Sequence, residues 1–357
     1  MRVGLDATYS VDRFPTGVGA YCSNLIGALA QYAPDDRFLL CYRANRFLRA
    51  LKAPRRGRNM SRHLMESFTI PLIQRRVDLF HGLDQRLPAG KFRRAVTTFH
   101  DLFVMTADYS TPEFRRRFRL FAEEAAERSD HIIAVSHYTA EKVAQLLFVP
   151  RDRISVVHHG VERIPAIASE ELDEFRRRHD LEAPFILHVG AIQKRKNIER
   201  LAEAFEGIEG PTRLVLAGAN GYGAERILER IEQSSSAPRI RRIGYVDRPT
   251  LERLYRSASV LAFPSLDEGF GLPVLEAMSA GLPVVTSNRA ALAEIAGDAA
   301  LLVNPEDAHE LRAAIEEALE AGAVRRRLIE AGLRRESEFS WMKAAHETMQ
   351  VYRRVVR

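Results

Sequence analysis

Residues 264–283, PSLDEGFGLPVLEAMSAGLP, decide how the rest of the chain is read. They follow a short apolar run, SVLAFPS (259–265), that reads as a strand, so the stretch is a strand end, a glycine-rich turn and a helix start. Gly269 and Gly271 let the backbone approach a ligand closely. Pro273 suits a first helical turn, where its missing N–H is not needed, which puts the helix start near Leu272 or Pro273. The N–H groups of Phe270, Gly271 and Leu272 then face whatever lies beyond the strand end. A helix N-terminus favours a diphosphate there, through its dipole and its spare donors. Glu268 and Glu276 flank this turn. Two carboxylates beside an anion site make chemical sense as acceptors for neutral hydroxyls, one on a sugar and one on a ribose.

Working outward, strand-like runs recur in both directions. VGLDAT (3–8), RFLLCY (37–42), DLFHG (78–82), AVTTFHD (95–101), HIIAVS (131–136) and ISVVHHG (154–160) fill the first half, and residues 18–32 have helical apolar spacing. Residues 163–184 hold no such run and carry a charged helix, so they read as a linker region. The rhythm restarts with FILHVGA (185–191) and continues through TRLVLAG (212–218), IRRIGYV (240–246), SVLAFPS, PVVTSN (283–288) and ALLVN (300–304). Alternating short strands and helices imply a parallel sheet covered on both faces. The expected fold class is therefore α/β: two Rossmann-like domains, residues 1–165 and 166–340, with parallel sheets facing an inter-domain cleft. A last helix over 341–357, with Met342, Ala345, Met349, Tyr352 and Val356 at apolar spacing, is expected to pack back on the first domain. In such sheets ligands bind outside the carboxyl ends of the strands, and three further motifs lie at strand ends.

GAIQKRKNIERL (190–201) clusters Lys194, Arg195 and Lys196 before a helix starting near Asn197. Cations at a helix N-terminus oppose its dipole, so their placement calls for an anionic partner. Arginine forks onto phosphate oxygens and lysine adds a point charge. TGVGAY (16–21) is a Gly-x-Gly turn opening a helix, through Gly17 and Gly19, which suits phosphate but also serves as an ordinary tight turn. FHD (99–101) places His100 at a strand end, either as a contact for a sugar or leaving group or as a structural histidine. No Asp-x-Asp pair occurs, so no metal or other cofactor is expected; the cationic cluster and the helix N-terminus take the place of a metal ion. GANGYG (218–223) lacks the glycine spacing of a dinucleotide fingerprint and reads as a turn.

The 357 residues suffice for two ordinary domains, and the 46% hydrophobic and 28% charged fractions are those of a globular protein. No apolar run approaches membrane-spanning length, and MRVGLDATYS lacks the features of a signal peptide. Cys22 and Cys41 read as small core residues, neither a disulfide framework nor a zinc site. A cytoplasmic location is expected. The net charge of +6 is concentrated between Arg43 and Arg62, where Arg43, Arg46, Arg49, Lys52, Arg55, Arg56, Arg58 and Arg62 occur without an acid. This stretch is either a solvated basic loop or a surface for anionic lipid or a pyrophosphate-bearing acceptor. With Phe47, Leu48 and Leu51 it is expected to hold the protein peripherally on the inner face of the cell membrane. Nucleic acid is not expected as a partner, because no nucleic-acid-binding motif accompanies the charge.

Together TGVGAY, FHD, VSHYTAEKV (135–143), HHGVE (158–162), GAIQKRKNIERL, GYV (244–246) and EGFGLPVLEAMSAGLPVVTS (268–287) resemble the retaining glycosyltransferases of family 4, with the GT-B fold. The likeness covers nearly the whole chain and is greatest to bacterial mannosyltransferases of O-antigen and related polysaccharides. It implies that Glu268 contacts donor sugar hydroxyls and Glu276 the ribose. Arg195 and Lys196 would neutralise the leaving diphosphate with help from the amides of 270–272. Gly17 and Gly19 would make room for phosphates or acceptor, His100 would sit near the donor sugar, and Gly244, Tyr245 and Val246 would line the base pocket. Two departures stand out: Ala191 where many members carry arginine, and His158–His159 where many carry Pro-Asn. The implied reaction moves a hexose, mannose from GDP-mannose as the first choice, from a nucleotide-sugar donor to a glycan or polyprenyl-linked acceptor, with retention and without metal. A UDP-sugar donor, an epimerase or phosphorylase of the same architecture, and a non-catalytic nucleotide-sugar-binding subunit are the alternatives.

Overall fold

The structure, a computed structural model, describes residues 1–13, 17–54 and 56–357. Thr16 of the TGVGAY motif and Arg55 of the basic stretch lie outside the described residues. The chain forms two compact units: Met1–Ala107 with Pro112–Gly160 and Phe339–Arg357, and Asp108–Thr111 with Val161–Glu338.

The first unit is built on a seven-stranded parallel sheet. Its strands are β1 (Arg2–Asp6), β2 (Arg37–Tyr42), β3 (Met60–Leu64), β4 (Leu79–Gly82), β5 (Ala95–Phe99), β6 (His131–Ala134) and β7 (Ile154–Val156). The spatial order is β3-β2-β1-β4-β5-β6-β7. The period-two side-chain pattern fills both faces. Phe38 and Leu40 of β2 pack with the helices Gly17–Tyr32 and Trp341–Val356, whereas Leu39 and Cys41 join Ile70, Ile73, Phe80 and Phe92. Both cysteines are free and buried.

β3 is not among the strand runs read from the sequence, and its first three residues, Met60–Arg62, fall in the basic stretch. MSRHL is polar and half-buried, because β3 is an edge strand with a single neighbour. The Trp341–Val356 helix buries Ala345, Met349 and Tyr352, but Met342 and Val356, grouped with them by spacing, are exposed. Its anchor is polar: the Tyr352 hydroxyl lies 2.6 Å from Nδ1 of buried His81, and Thr98 Oγ1 lies 2.8 Å from Nε2. Burial, and then His100, push His81 down to about 3, so the ring is neutral at pH 7.

After Gly160 the chain belongs to the second unit. Ile164 N–H donates to Ser279 Oγ at 3.2 Å, and Arg256 Nε donates to Pro165 O at 3.0 Å. The Ser169–Arg178 helix follows, then a six-stranded sheet. Its strands are β8 (Phe185–Val189), β9 (Arg213–Ala217), β10 (Ile240–Gly244), β11 (Val260–Phe263), β12 (Val284–Ser287) and β13 (Leu301–Val303), all parallel. Their order is β10-β9-β8-β11-β12-β13. Each sheet therefore has one switch point where the winding direction reverses: β1/β4 in the first and β8/β11 in the second. Ligands of open parallel sheets bind at the carboxyl ends of the strands at these points.

Tyr352→Phe leaves a buried imidazole nitrogen of His81 without its partner. It is expected to lower stability by about 1–3 kcal/mol, read from the urea midpoint at constant slope. An unchanged midpoint would show that the bond does not anchor the last helix.

Candidate functional site

The switch point of the second unit brings together the loops after β8 and β11. Beyond β8, Gly190 turns the chain with φ +143°, and a Cβ there would press on the Lys196 stem, 3.1 Å from its Cε. Lys194–Lys196 form a single 3-10 turn rather than the first turn of the helix, which runs Ile198–Glu206. Asn197 between them takes the left-handed conformation (φ 57°). Its side-chain amide ties three loops together, donating to Pro264 O at 3.1 Å and Pro305 O at 2.6 Å. Leu266 N–H donates to Arg195 O at 2.8 Å, and Arg195 Nη1 donates to Asp267 O at 2.7 Å. The basic turn is thus fixed by backbone contacts before any ligand is considered.

The anionic partner that the cations call for is Glu268. Lys196 Nζ lies 2.5 Å from its Oε1 and Arg195 Nη1 lies 2.7 Å from its Oε2. All three side chains are buried. Burial pushes the Glu268 carboxyl up, but Arg195 and then Lys196 outweigh it and hold the group at about 2. Lys196 also stands over the Phe263 ring, 4.5 Å from its centroid, and Phe263 stacks on the buried ring of His188. The sequence reading gave Glu268 to a sugar and the two cations to a diphosphate. Here the three form one buried ion cluster.

After Glu268 the chain passes through Phe270 and Gly271 into the Leu272–Ser279 helix. Gly271 sits at φ +116° with no side chain capping the helix, and a Cβ there would meet Leu292 Cδ2 at 2.7 Å. Pro273 lies in the first turn. The N-terminal amides of this helix therefore open at the switch point beside Glu268.

Glu276, one turn along this helix, faces the neighbouring Arg248–Ser257 helix. It accepts a hydrogen bond from the Tyr255 hydroxyl at 2.9 Å and pairs with Arg248, which also holds Glu252 at 2.8 Å. That helix starts just beyond Gly244 (φ +68°), exposed Tyr245 and half-buried Val246, at the carboxyl end of β10. Asp247 caps it, accepting from Thr250 N–H at 3.0 Å.

His100 and the glycine turn belong to the first unit. His100 Nε2 lies 2.8 Å from Leu83 O, and the ring sits edge-on to Tyr21 at 4.6 Å. Burial pushes it down to about 4, so it is neutral near pH 7 and suited to hydrogen bonding rather than to carrying charge. Gly17 opens its helix at the surface, where an added Cβ would meet no side chain among the described residues, while Gly19 is buried two residues further in. Sequence reasoning missed Asn197, Phe263, Tyr255 and Arg248. Of these, Asn197 carried a signal, since asparagine tolerates the left-handed region that ends the basic turn.

Residues 15–163 match the model of Glycosyltransferase Family 4, and residues 169–335 match that of Glycosyl transferases group 1. The chain is similar to O-antigen chain mannosyltransferase B of Escherichia coli, 32% identical over 208 residues, covering 56% of this chain and 54% of the relative. It is likewise 32% identical over 198 residues to the serotype-specific mannosyltransferase WbdA of the same species, 52% of this chain and 24% of the relative. The matches thus span about half the length of the first relative and a quarter of the second. Among solved structures, a sucrose-phosphate synthase from Thermosynechococcus elongatus superposes with a TM-score of 0.77 at 21% identity, covering 99% of this chain and 98% of that one. HepE of Anabaena in complex with UDP and glucose gives 0.76 at 15% identity, with 99% of each chain covered. At these identities the likeness establishes the fold alone.

Glu268→Gln removes the carboxylate from two buried cations. It is expected to cost about 3–5 kcal/mol at neutral pH. Glu268 is held below its unfolded value, so its stabilisation is present above pH 4.5 and is lost as pH falls toward 2. The gap between wild type and variant should therefore close on acidification, as followed by urea unfolding with circular dichroism. A gap independent of pH would assign the loss to packing.

Proposed function

The chain belongs to the glycosyltransferases, with a family 4 domain in its first unit and a group 1 domain in its second, and from this we propose that it moves a hexose from a nucleoside diphosphate sugar to a glycan or lipid-linked glycan, with retention, in cell-surface polysaccharide synthesis. The observation that carries the reading is the buried Arg195–Lys196–Glu268 cluster beside an uncapped helix N-terminus at the β8/β11 switch point. The diphosphate binds the two cations and the amides of 270–272. Glu268 shares the cations when the donor is absent, and turns its lone pairs to sugar hydroxyls when phosphate oxygens take up the positive charge. Glu276 lies at the ribose, with Gly244, Tyr245 and Val246 at the base. His100, neutral and with its Nε2–H given to Leu83 O, offers Nδ1 as an acceptor to a sugar hydroxyl.

In the reaction the bond from the anomeric carbon to the phosphate oxygen breaks. The acceptor hydroxyl forms the new bond on the same face, and the departing phosphate oxygen takes its proton. Charge builds on the diphosphate as the bond breaks, so fixed cations already held by Glu268 and backbone carbonyls stabilise it with little reorganisation. No cofactor takes part in this scheme. Mannose from GDP-mannose is the first-choice donor, a reading supported by the mannosyltransferase names of the relatives.

Two helices of the first unit support an anionic membrane surface as a partner. In Ala44–Lys52, Leu48 (74% exposed) and Leu51 project to solvent beside Arg49 and Lys52, while Phe47 packs on the core. Part of the basic stretch turns inward: Arg46 pairs with Asp12, Arg56 Nη2 reaches Ser23 Oγ at 2.7 Å, and Arg62 donates to Leu51 O and Ala53 O. In Pro112–Arg128, Arg116, Arg117 and Arg119 lie on an exposed surface with Phe114, Leu120 and Phe121. Among the described residues no helix is long and apolar enough to cross a membrane. Each cation near an anionic surface contributes ~1 kcal/mol, screened by salt.

Lys196→Ala is expected to reduce sugar transfer roughly 10²–10³-fold with the fold retained; near-normal turnover would remove Lys196 from the chemistry. Transfer should persist in EDTA, and strict loss restored by Mg²⁺ or Mn²⁺ would return the diphosphate to a metal. Reversing Arg116 and Arg117 to Glu should abolish salt-sensitive co-sedimentation with anionic liposomes. Equal binding of wild type to neutral and anionic liposomes would remove the membrane as a partner.

A further inference from the structure

Arg248, Glu252 and Tyr255 are spaced i, i+4 and i+7 along the Arg248–Ser257 helix, so they share one face of it. That face grips Glu276 of the Leu272–Ser279 helix. Arg248 Nε donates to Glu252 Oε1 at 2.8 Å, which steadies the guanidinium, and its Nη1 pairs with Glu276 Oε1. The Tyr255 hydroxyl donates to Glu276 Oε2 at 2.9 Å. Tyr255 is 1% exposed, and burial, then Glu276, push its phenol well above the usual range, so it keeps the proton it donates. Each oxygen of Glu276 therefore has a donor of its own. The Glu276 side chain keeps 16% of its surface open, whereas the tyrosine beside it is sealed.

An ionised carboxylate has two acceptor positions on each oxygen. Arg248 takes one on Oε1 and Tyr255 takes one on Oε2, which leaves one on each, side by side. Two adjacent acceptors on a carboxylate that cannot turn are matched to a vicinal diol. We propose that Arg248 and Tyr255 are positioning residues that fix Glu276 as a two-oxygen acceptor for the 2′- and 3′-hydroxyls of the ribose, and so make the chain select ribonucleotides over their deoxy forms. This rests on the glycosyl-transfer reading, which puts Glu276 at the ribose, and adds to it what holds that carboxylate and what it excludes. A deoxy nucleotide leaves one held oxygen of a half-buried carboxylate without its second donor. A carboxylate free to rotate would turn that oxygen to water instead, and the penalty would fade. The geometry also separates Arg248 from the cations of the diphosphate: it already carries two carboxylates, Glu252 and Glu276, so its charge is balanced.

The test uses the full chain and isothermal titration with GDP, UDP, their 2′-deoxy and 3′-deoxy forms, and inorganic pyrophosphate. The wild type should bind the tighter of the two ribonucleotides roughly tenfold or more better than either of its deoxy forms. Tyr255→Phe removes only the hydroxyl and should bring that ratio to about threefold or less, with pyrophosphate affinity within about twofold. Arg248→Gln should act in the same direction, and Arg248→Lys, which keeps a cation, should retain more of the ratio than Arg248→Gln. A merely structural role lowers the affinity for ribo and deoxy forms together and leaves their ratio where it was. The deoxy series on the wild type stands even if a variant does not fold. Equal affinity of the wild type for ribo and deoxy forms, or an unchanged ratio in a folded Tyr255→Phe or Arg248→Gln, overturns the inference. Loss of pyrophosphate affinity in Arg248→Gln would make Arg248 a phosphate ligand and overturns its positioning role. Failure of both GDP and UDP to bind the wild type overturns the glycosyl-transfer reading instead.

Discussion

One carboxylate with two cations on it organises the second unit. Glu268 stands at the end of the β11 loop, while Arg195 and Lys196 come from the β8 loop. Their union fixes the distance between the two strand ends where the sheet reverses. Burying three charges is expensive unless every partner is in place. The backbone contacts to Asp267, Leu266, Pro264 and Pro305 supply that order. On the proposed reading this cluster holds positive charge ready without exposing it, the carboxylate satisfying the cations until the donor's diphosphate arrives.

The two units use the same topological position for opposite electrostatics. At β8/β11 the strand-end loops carry cations, an anchoring glutamate and a helix N-terminus. At β1/β4 they carry two aspartates, Asp6 and Asp84, flanked by arginines that balance rather than dominate them. On the proposed reading a diphosphate is matched to the first.

Much of this was legible in the sequence. The strand runs were found because parallel strands buried on both faces are continuously apolar; RFLLCY became β2 residue for residue. The GFGLP turn and its helix start were read from glycine and proline geometry alone. β3 was hidden because an edge strand does not need apolar residues on both faces. The basic stretch gave no sign that Arg56 and Arg62 would turn onto a hydroxyl and carbonyls of their own unit. The pairing of Glu268 with Lys196, 72 residues apart, depends on which strands become neighbours, and strand order is not written in local pattern.

If the cationic cluster exists to hold a diphosphate, the phosphates must supply most of the nucleotide's affinity. Isothermal titration of GDP and guanosine, and of UDP and uridine, into the wild-type protein at fixed low salt measures this share. The account predicts that removing the diphosphate weakens binding by roughly a hundredfold or more, as the loss of two charge-assisted contacts requires. Equal affinity for nucleoside and nucleoside diphosphate would contradict it.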